Sequence, residues 1–150
     1  MKQRLYFFLI AGIIVSLDQA TKLLVHANLL PFRSMPVIKG ILSLSYIRNP
    51  GAAFGMFAGQ RTPLILIGIA VSVIVIYFHF RISADNRNFQ VPLALILGGS
   101  IGNLIDRIFR AYVVDFIDFS FWPAFNIADI AVNIGILLLA VRILFRKETV

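Results

Sequence analysis

Two long uncharged stretches constrain the fold of this chain more than any other feature of its sequence. One lies between Arg61 and Arg81, and the other lies between Arg87 and Asp106. Each is long enough for a helix that crosses the hydrocarbon core of a bilayer, which takes roughly 20 apolar residues. Hydrophobic residues make up 59% of the chain, whereas soluble domains are about 45–50% apolar. The sequence therefore predicts a membrane protein.

Four spans are predicted, at residues 5–25, 64–80, 91–108 and 127–145, within a single membrane domain of residues 1–150. Pro92 suits the first turn of the third span. Gly98 and Gly102 form a small-xxx-small pair, which favours close helix packing. The basic start and apolar run could also be a signal peptide, but no small-x-small cleavage site follows, so a retained first span is favoured. Short connections then predict an up-down-up-down bundle with both termini on one side, called side A.

Two connections on the opposite side, called side B, show β-prone patterns. Leu42, Leu44 and Tyr46 alternate with serines, and this period of two predicts a short strand. The stretch Asn49-Pro50-Gly51 indicates a turn at its end. The segment from Tyr112 to Phe116 is also β-prone. We expect an all-α membrane fold with a small β element on side B.

Polar residues that are costly in a membrane gather on side B, as the order of the segments shows. Side A carries only charges that flank the spans: Lys2, Arg4, Arg81, Asp85, Arg87, Arg142, Arg146, Lys147 and Glu148. Side B has Asp18, Lys22, Asn49, Asn103, Asp106, Arg107, Asp115, Asp118, Asn126 and Asp129. This clustering predicts a functional site at one face of the membrane.

Carboxylate chemistry is the most available kind at that face. Five of the seven acidic residues belong to side B, the chain has no cysteine, and its two histidines show no zinc-binding spacing. Two close aspartates share one proton, so one can activate water while the other protonates a carbonyl. A proton-coupled transporter is an alternative, but it usually has midplane polar groups and inverted repeats. A non-enzymatic scaffold would not need two aspartates at an interface.

Five sequence blocks in order carry a resemblance to prokaryotic lipoprotein signal peptidase, the signal peptidase II family. The blocks are Asp18-Gln19-Ala20-Thr21-Lys22, Asn49-Pro50-Gly51-Ala52-Ala53-Phe54-Gly55, residues 98–107 (GGSIGNLIDR), Tyr112-Val113-Val114-Asp115-Phe116 and Phe125-Asn126-Ile127-Ala128-Asp129. The resemblance implies four transmembrane helices with a small extracytoplasmic β-rich cradle. It also implies an aspartic endopeptidase that cleaves a prolipoprotein before its diacylglyceryl-modified cysteine, without metal or cofactor.

The resemblance assigns roles to the residues in these blocks. It implies that Asp115 and Asp129 form the catalytic pair. Substrate binding falls to Asn49, Gly99, Asn103, Arg107 and Asn126. Three residues are expected to support the site: Asp18, Lys22 and Asp106.

Local explanations stand beside several of these assignments. Asn126 and Asp129 have the spacing of a helix capping box. Asp18 and Lys22 are four residues apart and could simply form an intrahelical ion pair, or one of them could contact substrate. A further acid, Asp118, lies near Asp115, but the motif match falls on Asp115. If the capping box forms, the helix N-terminus favours Asp129 as the ionised member of the pair and leaves Asp115 as the proton donor.

The expected location is the bacterial cytoplasmic membrane. The 14 basic residues divide into seven on each side, so their number alone does not set the orientation. Lys2 and Arg4 flank the first span, and they and the resemblance favour cytoplasmic termini and an extracytoplasmic active site. The expected partners are the prolipoprotein and membrane lipids, with no nucleic acid, and the chain is expected to be a monomer.

Overall fold

The computed structural model describes residues 2–51, 56–57 and 59–145, with four long helices and a three-stranded sheet in that part of the chain. In chain order the elements are α1 (Lys2–Asn28), β1 (Ser34–Ile38), β2 (Leu42–Asn49), α2 (Arg61–Arg81), α3 (Arg87–Phe109), β3 (Val113–Phe119) and α4 (Ile127–Leu144). Each helix is long and apolar enough to cross a membrane. The four predicted spans match these helices, with ends that differ by about one turn at most.

Helix α3 lies at the centre of the bundle, because its glycines let the neighbouring helices approach closely. A Cβ atom on Gly98 would lie 2.8 Å from the carbonyl oxygen of Ala11 in α1. A Cβ atom on Gly102 would lie 2.6 Å from Asp18 Oδ2 and 3.2 Å from Ala128 Cβ. The predicted Gly98/Gly102 packing surface is therefore confirmed, and it joins α3 to α1 and α4.

The prediction for Pro92 was wrong. Helix α3 begins at Arg87, so Pro92 lies inside the helix rather than in its first turn. The polar residues before the apolar run continue the helix by about one turn beyond the predicted span. Because proline has no N–H, it cannot bond the carbonyl of Asn88 in the usual helical pattern.

The sheet lies on side B, where α1 and α3 end and where α2 and α4 begin. Its strands are antiparallel in the order β1-β2-β3. The strand predicted around Leu42–Tyr46 is confirmed as β2, which ends at Asn49 as expected, whereas β1 was missed. An irregularity in β2 between Leu44 and Ile47 lets Ile47 pair with Asp115 of β3.

Two hydrophobic clusters position these elements. One holds α1, α2 and α3 together and contains Phe7, Ala11, Val75, Leu93, Ala94, Ile96 and Leu97. The other joins the end of α1 to the sheet and contains Val25, Tyr46, Val114 and Phe116. Large apolar side chains elsewhere on the helices are exposed, as expected for surfaces that face lipid.

Candidate active site

Strand β3 and helix α4 bring two carboxyl groups to one place. Asp115 lies in the buried half of β3, and Asp129 lies in the first turn of α4. Both are hydrogen-bonded to Asn126, the residue immediately before α4. A strand and a helix that are separated by a short loop thus place the two acids predicted from the sequence side by side.

Asp115 is 3% exposed and accepts a hydrogen bond at each carboxyl oxygen. Asn49 Nδ2 donates to Oδ2 at 2.8 Å, and Asn126 Nδ2 donates to Oδ1 at 2.7 Å. Burial, followed by the negative charge of Asp129, raises the pKa of Asp115 to about 7, although the two amide bonds act in the opposite direction. Asp115 can therefore carry a proton near neutral pH.

Asp129 and Asn126 form the capping box that their spacing predicts. Asn126 Oδ1 accepts from the backbone N–H of Asp129 at 3.0 Å, and Asp129 Oδ2 accepts from the backbone N–H of Asn126 at 3.2 Å. The second carboxyl oxygen of Asp129 accepts from Asn103 Nδ2 at 2.7 Å. Backbone donation and the positive end of the α4 dipole both stabilise an ionised carboxylate here.

A fully buried lysine lies behind this pair. Lys22 Nζ is 2.8 Å from Asp18 Oδ2, 3.0 Å from Asp106 Oδ2 and 3.0 Å from Asn103 Oδ1. These three acceptors match the three N–H donors of an ammonium group. Arg110 forms a second ion pair with Asp106, so two carboxylates and two cations balance in charge. Such a network tolerates burial because every group in it is paired.

The two acids of this network also accept hydrogen bonds from the backbone of the residues that precede Asp115 and Asp129. Asp106 Oδ2 accepts from the backbone N–H of Val114 at 3.1 Å. Asp18 Oδ1 accepts from the backbone N–H of Ala128 at 3.0 Å. Of the two roles left open for Asp18 and Lys22, the geometry favours support over substrate contact, since both side chains are fully buried.

Arg107 connects α3 to the chain that follows β2. Its Nη2 donates to the carbonyl of Gly51 at 3.2 Å, and its Nη1 donates to the carbonyl of Asn103 at 3.4 Å. Its Nε is buried and has no partner among the described residues. The rest of that sequence block, residues 52–55, lies outside the described part of the chain.

A cavity of about 1040 Å³ lies between α2, α3 and α4. Asp115 and Asp129 line it, together with Asn49, Asn103 and Arg107. Its walls in the membrane are apolar and include Leu64, Ile67, Val71, Ile130 and Ile134. A polar end and an apolar body make this cavity suited to a ligand with both characters.

Two of the residues expected to bind substrate do not line this cavity. Asn126 is completely buried beneath the carboxyl pair, where it holds both acids. Gly99 does not line the cavity but faces the carbonyl of Ala128 in α4, where a Cβ atom would clash. Gly99 thus serves helix packing, because the absence of a side chain lets α3 and α4 meet, and its expected role in substrate binding stays a prediction.

Sequence reasoning missed two polar residues of the cavity, Ser100 and Asn133. Helical spacing could have indicated them, since Ser100 precedes Asn103 by three residues and Asn133 follows Asp129 by four. Asp118, by contrast, bonds Ser45 Oγ at 2.7 Å and is not part of the cavity lining. An odd separation of three residues along β3 directs it away from the face of Asp115.

Comparisons with known proteins agree with this architecture. The family model described as signal peptidase (SPase) II matches residues 10–145. A lipoprotein signal peptidase of Caldanaerobacter subterraneus subsp. tengcongensis is 44% identical over 138 residues, which cover 91% of this chain and 94% of the relative. One from Syntrophus aciditrophicus is 41% identical over 160 residues, covering 99% and 98% of the two chains.

Solved structures are similar as well. A bacterial membrane enzyme structure obtained by the in meso method at 2.3 Å resolution superposes with a TM-score of 0.90 and 34% identity, covering 97% of this chain and 93% of that one. A second, at 1.9 Å resolution, gives a TM-score of 0.85 and 35% identity. This multi-pass membrane protein therefore belongs to the signal peptidase II family, the proteases that remove signal peptides from prolipoproteins.

Proposed function

We propose that the chain is an aspartic endopeptidase that hydrolyses the peptide bond before the diacylglyceryl-modified cysteine of a prolipoprotein, with Asp115 and Asp129 as the catalytic pair. The observation that carries the proposal is their shared environment. Asn126 donates a hydrogen bond to each of the two carboxyl groups, and the pKa of Asp115, raised to about 7, lets that group carry a proton near neutral pH. Membership of the family supplies the substrate class.

The two acids divide the chemistry between them. Ionised Asp129 takes a proton from a water molecule as the water oxygen attacks the scissile carbonyl carbon. Protonated Asp115 donates a proton to the carbonyl oxygen. The tetrahedral intermediate then collapses: Asp129 gives the proton from water to the leaving nitrogen, the C–N bond breaks, and a hydroxyl of the intermediate returns a proton to Asp115. The products are a new carboxyl group and the free amine of the cysteine, and the pair regains its shared proton.

Other cavity residues would hold the substrate. Asn49, Asn103 and Arg107 line the cavity beside the carboxyl pair and carry N–H groups that suit peptide carbonyls. The Asn49 amide already donates to Asp115, so one side chain can link the substrate to the proton donor. The apolar walls below would receive the signal peptide and the acyl chains.

The setting of the reaction is part of the proposal. The chain resides in the bacterial inner membrane as a monomer, with cytoplasmic termini and with the carboxyl pair towards the extracytoplasmic face. It acts on prolipoproteins among membrane lipids, with no nucleic acid partner and with no metal or other cofactor. A chelator such as EDTA should leave the cleavage rate unchanged.

Three matched Asp→Asn variants test the catalytic assignment. In purified protein, Asp115→Asn and Asp129→Asn should each lower kcat for a lipidated prolipoprotein by about 10²–10⁴-fold, since each removes a positioned proton-transfer group. Asp118→Asn, on the same strand as Asp115, should cleave at close to the wild-type rate. Substantial cleavage by Asp115→Asn or Asp129→Asn would refute the assignment.

A further inference from the structure

Ser100 and Asn133 are polar residues that face the cavity from the membrane-spanning parts of α3 and α4. Neither side chain makes a hydrogen bond or ion pair with any residue that the structure describes. An amide or hydroxyl in an apolar setting costs free energy unless a partner satisfies it. Ser100 is half-buried and Asn133 is exposed, so both polar groups are open to a ligand in the cavity that supplies hydrogen-bond acceptors.

The other serine in the helical walls near the cavity behaves differently. Ser72 in α2 donates to the carbonyl of Gly68 at 2.8 Å, which is the usual way a helical serine satisfies its hydroxyl. Ser100 makes no such bond in the described structure. Its hydroxyl is also not sealed in the protein interior, since it is not among the buried atoms that lack a partner. The Ser100 hydroxyl is therefore available to the cavity.

The depth of these residues locates what they can reach. Ser100 precedes Asn103 by three residues in a helix that runs towards side B, so it lies about 4.5 Å deeper in the membrane. Asn133 follows Asp129 by four residues in a helix that runs away from side B, which places it about 6 Å deeper. The two donors therefore lie at similar depth, about one helical turn below the carboxyl pair.

The lining at that depth is uncharged. The charged side chains that line the described cavity are Arg48, Arg107, Asp115 and Asp129, and all four lie towards side B. The deeper wall consists of apolar side chains with the two neutral donors. Such a surface suits a neutral ligand that combines carbonyl acceptors with hydrocarbon chains, rather than a phosphate or a carboxylate.

We infer that Ser100 and Asn133 form a subsite for the ester carbonyls of the diacylglyceryl group, and this inference rests on the proposed function. The glycerol is attached through the sulfur of the cysteine that follows the scissile bond, so its esters lie one short side chain away from that bond. Its acyl chains would continue along the apolar wall. The subsite would make the enzyme prefer a diester substrate over one that lacks the carbonyl groups.

The experiment compares two substrates that differ only in those carbonyls. One prolipoprotein peptide carries a diacylglyceryl cysteine, and the other carries the dialkyl ether analogue of equal chain length. For the wild type, kcat/KM should be about tenfold higher for the diester, as expected for hydrogen bonds at two positions. In the Ser100→Ala/Asn133→Leu double variant, the diester-to-ether ratio should fall to near one.

Matched variants separate the subsite from general damage. Ser72→Ala removes a hydroxyl that is already satisfied within α2, and Asn133→Gln keeps the amide donors, so both should retain the preference for the diester. An unchanged ratio in the double variant would overturn the inference, as would equal loss on both substrates, which would indicate contact with the peptide. Cleavage by Asp115→Asn would refute the proposed function instead, whatever the ratio.

Discussion

At the residue scale, Asp115 shows how neighbours set the protonation of a proposed catalytic group. Its carboxyl is buried near the negative charge of Asp129, and these two effects raise its pKa to about 7. Hydrogen bonds from Asn49 and Asn126 lower that pKa, so they hold the value near neutrality instead of letting it rise further. A proton donor of this kind loses activity as the pH rises and the proton leaves.

The first prediction concerns Asn49→Ala. Removal of an amide donor that stabilises the charged form should raise the pKa of Asp115, so the alkaline limb of kcat/KM should move to higher pH. The pH profile of kcat/KM measures this shift. The apparent pKa values that it yields describe the two carboxyl groups as a coupled pair. Asn28→Ala, which removes an amide bonded to Leu24 near the end of α1, should leave the profile in place. An alkaline limb that stays in place in Asn49→Ala would contradict the assigned role of that amide.

The second prediction concerns Lys22→Met. The variant leaves Asp18 and Asp106 buried without the ammonium group that both contact, and breaking a buried pair typically costs about 3–5 kcal/mol. Thermal unfolding in detergent should show a much lower midpoint than for the wild type. Lys39→Met, at the exposed turn between β1 and β2, provides the matched control. Equal midpoints for the two variants would show that the buried network contributes little.

At the element scale, α3 organises the molecule because it packs against each of the other three helices. Its small residues face α1 and α4, and the Leu104 side chain lies over Gly68 of α2, where an added Cβ atom would be 3.3 Å from it. The polar residues at its end then reach the sheet through Asp106 and the β2–α2 connection through Arg107. Close packing of α3 therefore sets where β3 and α4 place their carboxyl groups.

The third prediction concerns Gly99→Ala. The added methyl group would meet the carbonyl of Ala128 in the backbone of α4, so α4 must move, and Ala128 is adjacent to Asp129. Overpacking of this kind typically costs about 1–3 kcal/mol, and the shift should also lower kcat. Gly12→Ala in α1 has no atom within 4 Å of the new methyl group and should be at least as stable as the wild type. Wild-type stability and kcat in Gly99→Ala would contradict the tight α3–α4 contact.

At the scale of the whole molecule, the bundle separates two ends of different character. The sheet, the carboxyl pair and the buried charged network of Asp18, Lys22 and Asp106 lie on side B. On side A, α2 and α3 are joined by a short turn that contains Asp85. The outer surfaces of the helices are apolar, so lipid holds the protein across the membrane. The orientation of this axis decides which compartment the site serves.

The fourth prediction tests that orientation with single cysteines, since the chain has none of its own. A membrane-impermeant maleimide added to intact cells should label Lys39→Cys on side B and should not label Asp85→Cys on side A until the membrane is permeabilised. A permeant maleimide should label both variants. The opposite pattern with the impermeant reagent would place the carboxyl pair on the cytoplasmic side.

Much of this fold could be predicted from the sequence, because its signals are local. A helix that crosses a membrane must satisfy its own backbone hydrogen bonds, so each long apolar run becomes a helix wherever its neighbours lie. The alternation around Leu44 predicted β2, and the spacing of Asn126 and Asp129 predicted the capping box. Strand β1 was missed because its residues 34–38 are all exposed and contain Pro36, so no pattern of alternating burial marks it.

The sequence by itself determined the four spans and the gathering of polar groups on side B. Through five motif blocks it also singled out Asp115 and Asp129 as the proposed catalytic pair. Only the tertiary structure decided how those groups divide their work. In the folded protein, Lys22 is buried between Asp18 and Asp106, Gly99 packs against α4, and Ser100 lines the cavity. The physical reason is that spacing along one helix specifies a face, whereas a side chain's role depends on what the neighbouring helices bring to that face.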